Sequence, residues 1–420
     1  MKKNHSITCE IIAIGNEVLV GDVINSNAAF LSQALTQLGY QVKYHSTLGD
    51  DEATMLQAFR LATKRAKLIM VTGGLGPTSD DFTLEVFAQF LKVPLKRDQQ
   101  IAKKIERFFK KSGRVFTPNQ LKQADIPQGS IVLENPLGTA PGIYRAYQQS
   151  HFFFLPGVPA EMSRMFFKRV LPILKKKMPV RQKVCTEILR CFGIPEGALD
   201  YALKTELMER VQLLETKLAF QVKFPDILLK ISSSGSSESA VKRKLKTAKA
   251  RILEKVGNYV YGEGEQDLAV VVGERLKQSE KTLAVAESCT GGYLSDWLTN
   301  QPGASDFFLE GLTCYANSSK ISRCCVESSV LVEQGAVSRE VAIQMASGIR
   351  KQVGADFGIG ITGIAGPSGG TAEKPVGTVY VAIASQHEVW DKKFVLPFGR
   401  KAFKKVVAAI ALNKLRRMLL

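Results

Sequence analysis

Along about the first 95 residues, unbroken apolar runs alternate with segments whose apolar positions recur every three or four residues. The runs predict strands in SITCEIIAIG, YQVKYHSTLG and KLIMVTGG, and the periodic segments predict helices in INSNAAFLSQALTQLG and DEATMLQAFRLATKRA. Asn25 or Ser26 is placed to cap the first helix and Gly39 to end it. Another helix is predicted from about Asp80. This alternation indicates a parallel sheet covered by helices on both faces, with ligands at the carboxyl ends of its strands.

Three parts are predicted along the chain, and all are of mixed α/β character. The first spans residues 1–175 and closes with the helix AEMSRMFFKRVLPILKKK. Residues 176–262 form a small α+β module with strands in VCTEILRCFG and DILLKISSSG and a long helix in SSESAVKRKLKTAKARILEKVG. Residues 263–420 form another α/β domain, with strands in TLAVAE, DFFLEGLTCYA, DFGIGITG and GTVYVAIAS and a final helix.

The composition is typical of a soluble globular enzyme, which we expect in the cytoplasm. The 420 residues are 45% hydrophobic and 23% charged. No apolar run approaches the roughly 18 residues of a membrane span, and the short apolar stretch near the N-terminus contains Glu10, unlike a signal peptide. Seven cysteines without a CxxC pair argue against a disulfide framework and against a thiolate zinc site.

Basic residues outnumber acidic ones by 57 to 39, which gives a formal net charge of +18. Such a charge attracts polyanions or phosphorylated small molecules. The lysines are dispersed along helix faces and RNA-binding aromatic motifs are missing, so a nucleic acid partner is not favoured. The four histidines are scattered singly, away from Gly-rich and acidic motifs, and this disfavours a histidine general base.

The stretch AVAESCTGGYLSDWL places Ser288 and Cys289 where a strand ends and a helix begins. A serine there is either a helix cap or a nucleophile beside the positive end of a helix dipole. Backbone amides near Cys289 and Thr290 are candidates for holding an oxyanion. Gly291 allows a substrate to approach the backbone closely.

A proton acceptor for Ser288 has to come from elsewhere, and CYANSSK offers Tyr315, Asn317 and Lys320. Asn317 is a good cap, which places Lys320 in the first turn of the next helix. The positive helix end and burial both favour the neutral amine, and a neutral lysine acts as the base in Ser–Lys variants of the catalytic triad. The alternative is a solvated surface lysine.

A Gly-rich loop, TGIAGPSGGTAEKPVG, joins two apolar strands and contains Thr362, Gly363 and Gly366. Its glycines present backbone amides that suit a phosphate, and loops of this length between strands are usually functional. A flexible connection is the alternative. The loop lacks a Walker A sequence, so binding of a nucleoside triphosphate is not implied.

In the first domain, TGGLGPTSDDFTLE combines a glycine turn, the helix-capping residues Thr78 and Ser79, and the paired carboxylates Asp80 and Asp81. These acids are either partners of a helix dipole or ligands of a divalent metal ion that acts on a diphosphate. Asp50, which follows the neighbouring strand, adds a ligand in the second case. The residues that cradle phosphate are then Gly73, Gly74, Gly76 and Thr78.

The last domain resembles the nicotinamide-nucleotide amidase domain, which is found as a free-standing enzyme and as the C-terminal half of CinA (competence/damage-inducible) proteins. The matching runs are AESCTGG, YANSSK, GAVSREVA and TGIAGPSGG followed by KPVGTV. In this family a serine and a lysine carry the amide hydrolysis, which implies Ser288 and Lys320, with Tyr315 as a helper. The implied reaction converts nicotinamide mononucleotide to nicotinate mononucleotide and ammonia without a cofactor.

The first domain resembles the N-terminal domain of CinA proteins through IGNEVLVGDVINSN, NPLGTAPG and LPGVPAEM, and that domain has the molybdopterin-binding fold. In some members it hydrolyses ADP-ribose with a metal ion, which implies a second activity here. The middle module corresponds to the KH-like region of these proteins but lacks a clear GXXG loop, so RNA binding is not expected. The family also favours a homodimer.

Two other interpretations stay open. One is a molybdopterin-related enzyme whose amidase domain is degenerate. The other is a nucleic-acid-associated scaffold that uses the +18 charge and the KH-like module.

Overall fold

The computed structural model of the chain describes residues 7–180, 182–204 and 215–420. The chain divides into two compact units. One consists of the described residues up to Cys185 together with Ser234–Lys242, and the other of Thr186–Ser233 with Arg243–Leu420. None of the helices in the described ranges is both long enough and apolar enough to cross a membrane.

The first unit contains a six-stranded mixed sheet, within the part of the chain that is described. The six strands of this sheet are β1 (Thr8–Ile14), β2 (Gln41–Leu48), β3 (Leu68–Thr72), β6 (Ile131–Leu133), β7 (Gly142–Tyr147) and β8 (Ser150–Leu155). Two further strands, β4 (Leu95–Arg97) and β5 (Asp125–Pro127), form a separate two-stranded ribbon. The order across the sheet is β2-β1-β3-β8-β7-β6. Neighbours are parallel from β2 to β8, which confirms the parallel sheet predicted from the first 95 residues. The later strands β7 and β6 extend it as antiparallel neighbours.

The helices of this unit, except the four-residue one at Asn16–Leu19, which buries no residue, bury apolar side chains. They are α1 (Asn16–Leu19), α2 (Ser26–Gln37), α3 (Glu52–Arg65), α4 (Thr83–Leu91), α5 (Gln99–Ser112), α6 (Pro159–Met165) and α7 (Leu171–Lys177), with a π-helical turn at Phe166–Val170. The predicted cap of α2 is confirmed, since the Asn25 side chain accepts from the Ala28 N–H at 2.9 Å. Gly39 follows its end with φ +89°, a conformation that glycine adopts without strain.

The helix predicted from about Asp80 begins later, at Thr83. The reason is local, because the Asp81 carboxylate accepts from both the backbone N–H and the hydroxyl of Thr78. This closes a turn before the helix. Asp80 and Asp81 therefore lie in a loop, and neither of them, nor Thr78, caps the helix.

The middle module is α+β, as predicted. Its strands are β9 (Lys183–Cys191), β10 (Thr216–Lys223), β11 (Asp226–Gly235) and β12 (Val260–Glu263), in the order β10-β11-β9-β12. The helices among its described residues are α8 (Glu196–Lys204) and α9 (Glu238–Val256).

The C-terminal domain, from about residue 265, forms a five-stranded sheet with helices on both faces. The strands are β13 (Leu283–Glu287), β14 (Phe308–Thr313), β15 (Phe357–Gly363), β16 (Thr378–Ala384) and β17 (Val389–Val395), in the order β14-β13-β15-β16-β17. The helices are α10 (Leu268–Gln278), α11 (Tyr293–Thr299), α12 (Asn317–Cys324), α13 (Ser328–Gln334), α14 (Arg339–Val353) and α15 (Arg400–Met418).

Strand β13 is buried along its whole length because both faces of the sheet are covered. Leu283 and Val285 belong to the core on one face, while Ala284 and Ala286 belong to the core on the other, as the two-residue period of a strand requires. Its neighbours β14 and β15 are both parallel to it. The chain therefore leaves the sheet after Glu287 at an edge where two other strands also end.

Candidate functional site

A pocket of about 210 Å³ lies at the carboxyl ends of β13, β14 and β15, where ligands of such sheets bind. It brings together most of the residues predicted from the last domain. Its lining residues are Ser288, Cys289, Tyr315, Asn317, Lys320, Ala336, Val337, Thr362, Gly363, Ala365 and Arg400. Of the predicted residues, Thr290, Gly291 and Gly366 are not in this lining.

Ser288 is the first residue after β13 and is 9% exposed. Its backbone N–H donates to the Ile361 carbonyl at 3.0 Å, and its own carbonyl accepts from the Gly291 N–H at 3.1 Å. These bonds fix the serine backbone at the end of the sheet, while its side chain contributes to the pocket wall.

Ser288 is not a helix cap, which excludes the alternative left open by the sequence. Helix α11 begins five residues later, with Gly292 at its N-cap position. Its first amides are satisfied by the buried Glu287, whose carboxylate accepts from the Leu294 N–H at 3.1 Å and the Ser295 N–H at 2.8 Å. The positive end of this helix therefore faces Glu287 and not a ligand in the pocket.

Lys320 is buried, with only 2% of its surface exposed. Its Nζ donates to the carbonyl oxygens of Cys314 at 3.0 Å and Tyr315 at 3.1 Å, so both acceptors are neutral. Burial lowers the pKa of Lys320 below its ordinary value of about 10.5, because a low-dielectric surrounding disfavours the charged amine. A solvated surface lysine, the other possibility left by the sequence, is excluded.

Cys289 shares the pocket wall, but its thiol is held in the protonated form. Burial raises its pKa to about 12, and since the thiolate is the nucleophilic form, this cysteine is a poor nucleophile near neutral pH.

Tyr315 and Arg400 form the exposed side of the pocket. The Tyr315 hydroxyl accepts from Arg400 Nη2 at 2.8 Å, while Arg400 Nη1 donates to the Gly366 carbonyl at 3.0 Å. Arg400 is the first residue of α15, where a cation adds to the positive end of the helix dipole. Sequence reasoning missed Arg400, although basic residues clustered at a predicted helix start, in FGRKAFKK, are an unusual signal.

Asn317 lines the pocket but does not cap α12. The helix begins at Asn317, its N-cap position is Ala316, and no side-chain hydrogen bond caps it. The prediction that Asn317 is the cap is therefore wrong by one position. Lys320 still lies in the first turn, and its N–H donates to the Ala316 carbonyl at 3.3 Å.

Thr362 and Gly363 line the pocket, but they are the last two residues of β15 and not part of the Gly-rich loop in which the sequence placed them. The buried Thr362 hydroxyl donates to the Ala336 carbonyl at 2.7 Å. At Gly363 a Cβ would lie 2.7 Å from the Thr378 carbonyl oxygen, so this glycine is needed for strand packing. Gly366 supplies the carbonyl that binds Arg400.

A second pocket, of about 500 Å³, lies in the first unit at the carboxyl ends of its parallel strands. Every residue predicted for the N-terminal site lines it except Thr78. These residues are Asp50, Gly73, Gly74, Gly76, Asp80 and Asp81. Sequence reasoning missed Glu17 and Glu161, which also line it, although both stand in the runs that carried the family resemblance.

The glycine turn of this pocket requires its glycines for close approach of the backbone. Gly73 has φ +102°, and a Cβ there would lie 2.0 Å from the Ile14 carbonyl oxygen. The turn therefore packs directly against the end of β1.

The carboxylates of this pocket influence one another. Burial raises the pKa of Asp50 most, and the charges of Glu17, Asp80 and Asp81 raise it further. Within the described ranges, however, no three His, Cys, Asp or Glu side chains converge as a ready-made metal site. Carboxylate oxygens are the right donors for Mg²⁺, which is usually held by one or two carboxylates plus substrate phosphates, so the donor set fits a metal ion that a diphosphate helps to bind.

Relatives of this chain match it from end to end. The putative competence-damage inducible protein of Alkaliphilus metalliredigens is 39% identical over 417 residues, which are 98% of this chain and 99% of the relative. The CinA-like protein of Nostoc punctiforme is 40% identical over 418 residues, 99% of this chain and 100% of the relative. The chain belongs to the CinA family.

Three parts of the chain match models of known protein domains. Residues 10–176 match the probable molybdopterin binding domain, residues 186–262 the damage-inducible protein CinA KH domain, and residues 265–419 the CinA C-terminal domain. The crystal structure of the protein CinA with unknown function from Thermoplasma acidophilum is 39% identical, covers 40% of this chain and 98% of that one, and has a TM-score of 0.37.

Proposed function

We propose that this CinA family member hydrolyses nicotinamide mononucleotide to nicotinate mononucleotide and ammonia, a step of pyridine nucleotide recycling. The observation that carries the proposal is Lys320, a buried lysine bonded to two neutral carbonyls in the same pocket as Ser288. A lysine whose pKa is lowered by burial is suited to act as a general base.

The hydrogen bonds of Lys320 suggest how it handles the proton. A neutral amine has two N–H groups and one lone pair, and the carbonyls of Cys314 and Tyr315 accept both N–H groups. The lone pair then remains for the Ser288 hydroxyl proton. Within the described residues no hydrogen bond joins Ser288 to Lys320 directly, which is compatible with a contact that tightens when substrate binds.

In the proposed mechanism, Ser288 Oγ attacks the carboxamide carbon while Lys320 takes its proton. The tetrahedral intermediate collapses when the lysine ammonium returns the proton to the departing nitrogen, and ammonia leaves. Water, deprotonated by the same lysine, then hydrolyses the acyl-enzyme to nicotinate mononucleotide and free Ser288. We propose the backbone amides near Cys289 and Thr290 as donors to the oxyanion.

Arg400 is proposed to bind the substrate phosphate, together with backbone amides around Gly363 and Gly366. Its guanidinium lies at the pocket wall and at the N-terminus of α15, and both its charge and the helix end favour an anion. Tyr315, whose hydroxyl accepts from Arg400, holds the guanidinium in position.

The decisive experiment is to incubate the purified protein with nicotinamide mononucleotide and to identify the products. Nicotinate mononucleotide and ammonia in equal amounts are expected, without added metal. Release of free nicotinamide, or no turnover at all, would contradict the amidase proposal.

Arg400→Met is expected to raise KM for nicotinamide mononucleotide by about 10- to 100-fold, because hydrogen bonds to charged groups contribute about 1.5–3 kcal/mol. Turnover of nicotinamide riboside, which lacks the phosphate, should change little. Steady-state kinetics on both substrates make the measurement. Lys405→Met is the matched control, since it removes a charge from the same helix at a position outside the pocket lining. Equal losses on both substrates would show that Arg400 does not read the phosphate.

For the N-terminal domain we propose a metal-dependent hydrolysis of ADP-ribose to AMP and ribose phosphate. Carboxylates and a glycine turn line one pocket at the carboxyl ends of parallel strands, and this arrangement favours a diphosphate with a divalent cation. Asp50, Asp80 and Asp81 would hold the ion together with the substrate oxygens, and the ion would supply Lewis acidity at phosphorus. A molybdopterin-related activity is the alternative for this pocket. We also propose that the protein acts as a homodimer.

A further inference from the structure

Two cysteine side chains lie in contact close to Lys320. Cys314 Sγ and Cys324 Sγ are 3.1 Å apart and share a hydrogen bond. Both residues are buried, at 1% and 0% exposure, and both are free thiols. Cys314 follows β14 and Cys324 ends α12. The two cysteines are ten residues apart, and Lys320 lies between them in the sequence.

We propose that Cys314 and Cys324 are an oxidation site, which a hydroperoxide converts to a reversible disulfide. We further propose that this bond displaces Lys320 and switches the C-terminal pocket off. The second statement rests on the proposed amidase function, whereas the first does not.

The oxidation proceeds in two balanced steps. The Cys314 thiolate attacks one peroxide oxygen, the O–O bond breaks, and hydroxide leaves, so that Cys314 becomes a sulfenic acid. The Cys324 sulfur then attacks the Cys314 sulfur, the S–S bond forms, the S–O bond breaks, and the oxygen leaves as water with the Cys324 proton. Overall, two thiols and one hydrogen peroxide give one disulfide and two waters.

The two thiols divide these roles between them. The hydrogen bond to Cys324 holds the pKa of the Cys314 thiol below its ordinary value, whereas the same contact raises the pKa of Cys324. The positive charge of a protonated Lys320 acts on Cys314 in the same direction as that hydrogen bond. Since the thiolate is the form that peroxides oxidise, Cys314 reacts first and Cys324 resolves it.

The packing around Cys324 determines which side has to move. A Cβ at Gly348 would lie 1.8 Å from the Cys324 carbonyl oxygen, so α14 packs directly on the backbone at this end of α12. A disulfide requires the sulfur atoms to approach to about 2.05 Å. Because the packing holds Cys324 in place, it is mainly Cys314 that has to move when the two sulfur atoms approach. The Cys314 carbonyl accepts from Lys320 Nζ at 3.0 Å.

Moving that carbonyl moves the acceptor that orients the Lys320 amine. A displacement of about 1 Å in a catalytic group lowers turnover by roughly 100-fold. The oxidised protein is therefore expected to lose about 100-fold in kcat for nicotinamide mononucleotide, and a dithiol reductant should restore it.

The full-length protein is treated with hydrogen peroxide, quenched, alkylated and digested with trypsin. Trypsin cuts after Lys320 and Arg323, so a disulfide leaves the Cys314 peptide joined to the peptide that begins at Cys324. That joined pair is the expected product, and it should separate on reduction. Recovery of both cysteines only as alkylated thiols, at peroxide concentrations that oxidise the exposed Cys325, would overturn the proposal.

Four variants assign the bond and its consequence. The tryptic peptide of Cys314 also contains Cys289, and the peptide that begins at Cys324 also contains the exposed Cys325. The crosslink should persist in Cys325→Ser and in Cys289→Ala, whereas Cys314→Ala and Cys324→Ala should each abolish the crosslink and the loss of activity on oxidation. Loss of the crosslink in Cys325→Ser or in Cys289→Ala would show that the wrong thiol pair was assigned.

The readouts separate this inference from the proposed function. A crosslink in a protein that never turns over nicotinamide mononucleotide would refute the amidase and leave the oxidation site standing. Turnover without any crosslink would refute the oxidation site and leave the amidase standing. A crosslink with unchanged turnover would refute the coupling to Lys320.

Discussion

Lys320→Met is expected to lower kcat for nicotinamide mononucleotide by about 10²- to 10⁴-fold, the usual contribution of a general base. Methionine keeps a similar apolar stem in this buried position but has no lone pair of the required basicity. Ser288→Ala should cost about as much, and the double variant should cost little more than either, because the two groups act as a unit. Steady-state kinetics on the four proteins make the comparison.

Cys289→Ala is the matched control for the nucleophile, since it removes the neighbouring side chain from the same pocket wall. Its effect should be mild. A Cys289→Ala protein that is inactive beside a Ser288→Ala protein that is active would reverse the assignment. Near wild-type turnover in Lys320→Met would refute the Ser–Lys mechanism whichever nucleophile is used, provided that thermal unfolding shows the variant to be folded.

The same mechanism fixes the sign of the pH dependence. Only the neutral amine of Lys320 accepts the serine proton, so kcat/KM should rise with pH through the lysine pKa and be lost as pH falls below it. Burial lowers that pKa, which moves the rise below the ordinary value of about 10.5. The pKa of the Cys289 thiol, about 12, lies above the pH at which this rise is expected. If the residual activity of Lys320→Met rises with pH in the same way as that of the wild-type protein, the rise belongs to a group other than Lys320.

Asp81→Asn is expected to lower hydrolysis of ADP-ribose by about 100-fold or more, because it removes a carboxylate that helps to hold an ion supplying several kcal/mol of charge stabilisation. A chelator should abolish the same activity, and added Mg²⁺ or Mn²⁺ should restore it. Release of AMP, measured on the intact protein, is the readout. Unchanged release in the presence of the chelator would refute the metal proposal.

Two controls make this result specific to the N-terminal pocket. Asp51→Asn changes the charge next to Asp50 but lies outside the pocket lining, and it preserves a helix cap, since Asn and Asp cap equally well. It should retain ADP-ribose hydrolysis. Turnover of nicotinamide mononucleotide by the same Asp81→Asn preparation should be unchanged, which tests that the variant is folded.

Many of the elements could be predicted because their cause is local. The Asn25 cap, the apolar spacing of α3 and the apolar run of β13 are properties of neighbouring residues, and the structure has each of them. Local patterns were less reliable at helix starts. Asp81 closes a turn with Thr78 and delays α4, and Glu287 takes the capping role that Ser288 was placed to fill.

In the last domain Ser288, Lys320 and Thr362 were predicted separately, from their local motifs and the family resemblance. They line one pocket because β13, β14 and β15 are parallel, and the carboxyl ends of parallel strands share one edge of a sheet. Arg400 was missed because the strand before it, β17, was not predicted. β17 is antiparallel to β16, which is antiparallel to β15, so β17 ends at the same edge of the sheet. Helix α15 then begins beside the pocket, where Arg400 reaches Tyr315, 85 residues earlier.

From the sequence alone came the family resemblance, the order of the strands and helices, and the residue types gathered at strand ends, since these depend on composition and on spacing along the chain. The tertiary structure decided which lysine is buried, which carbonyls hold it, that Cys314 and Cys324 touch, and that Arg400 completes the pocket. The physical reason is that burial, charge state and side-chain contact are set by groups distant in sequence. They exist only once the helices are packed on the sheet.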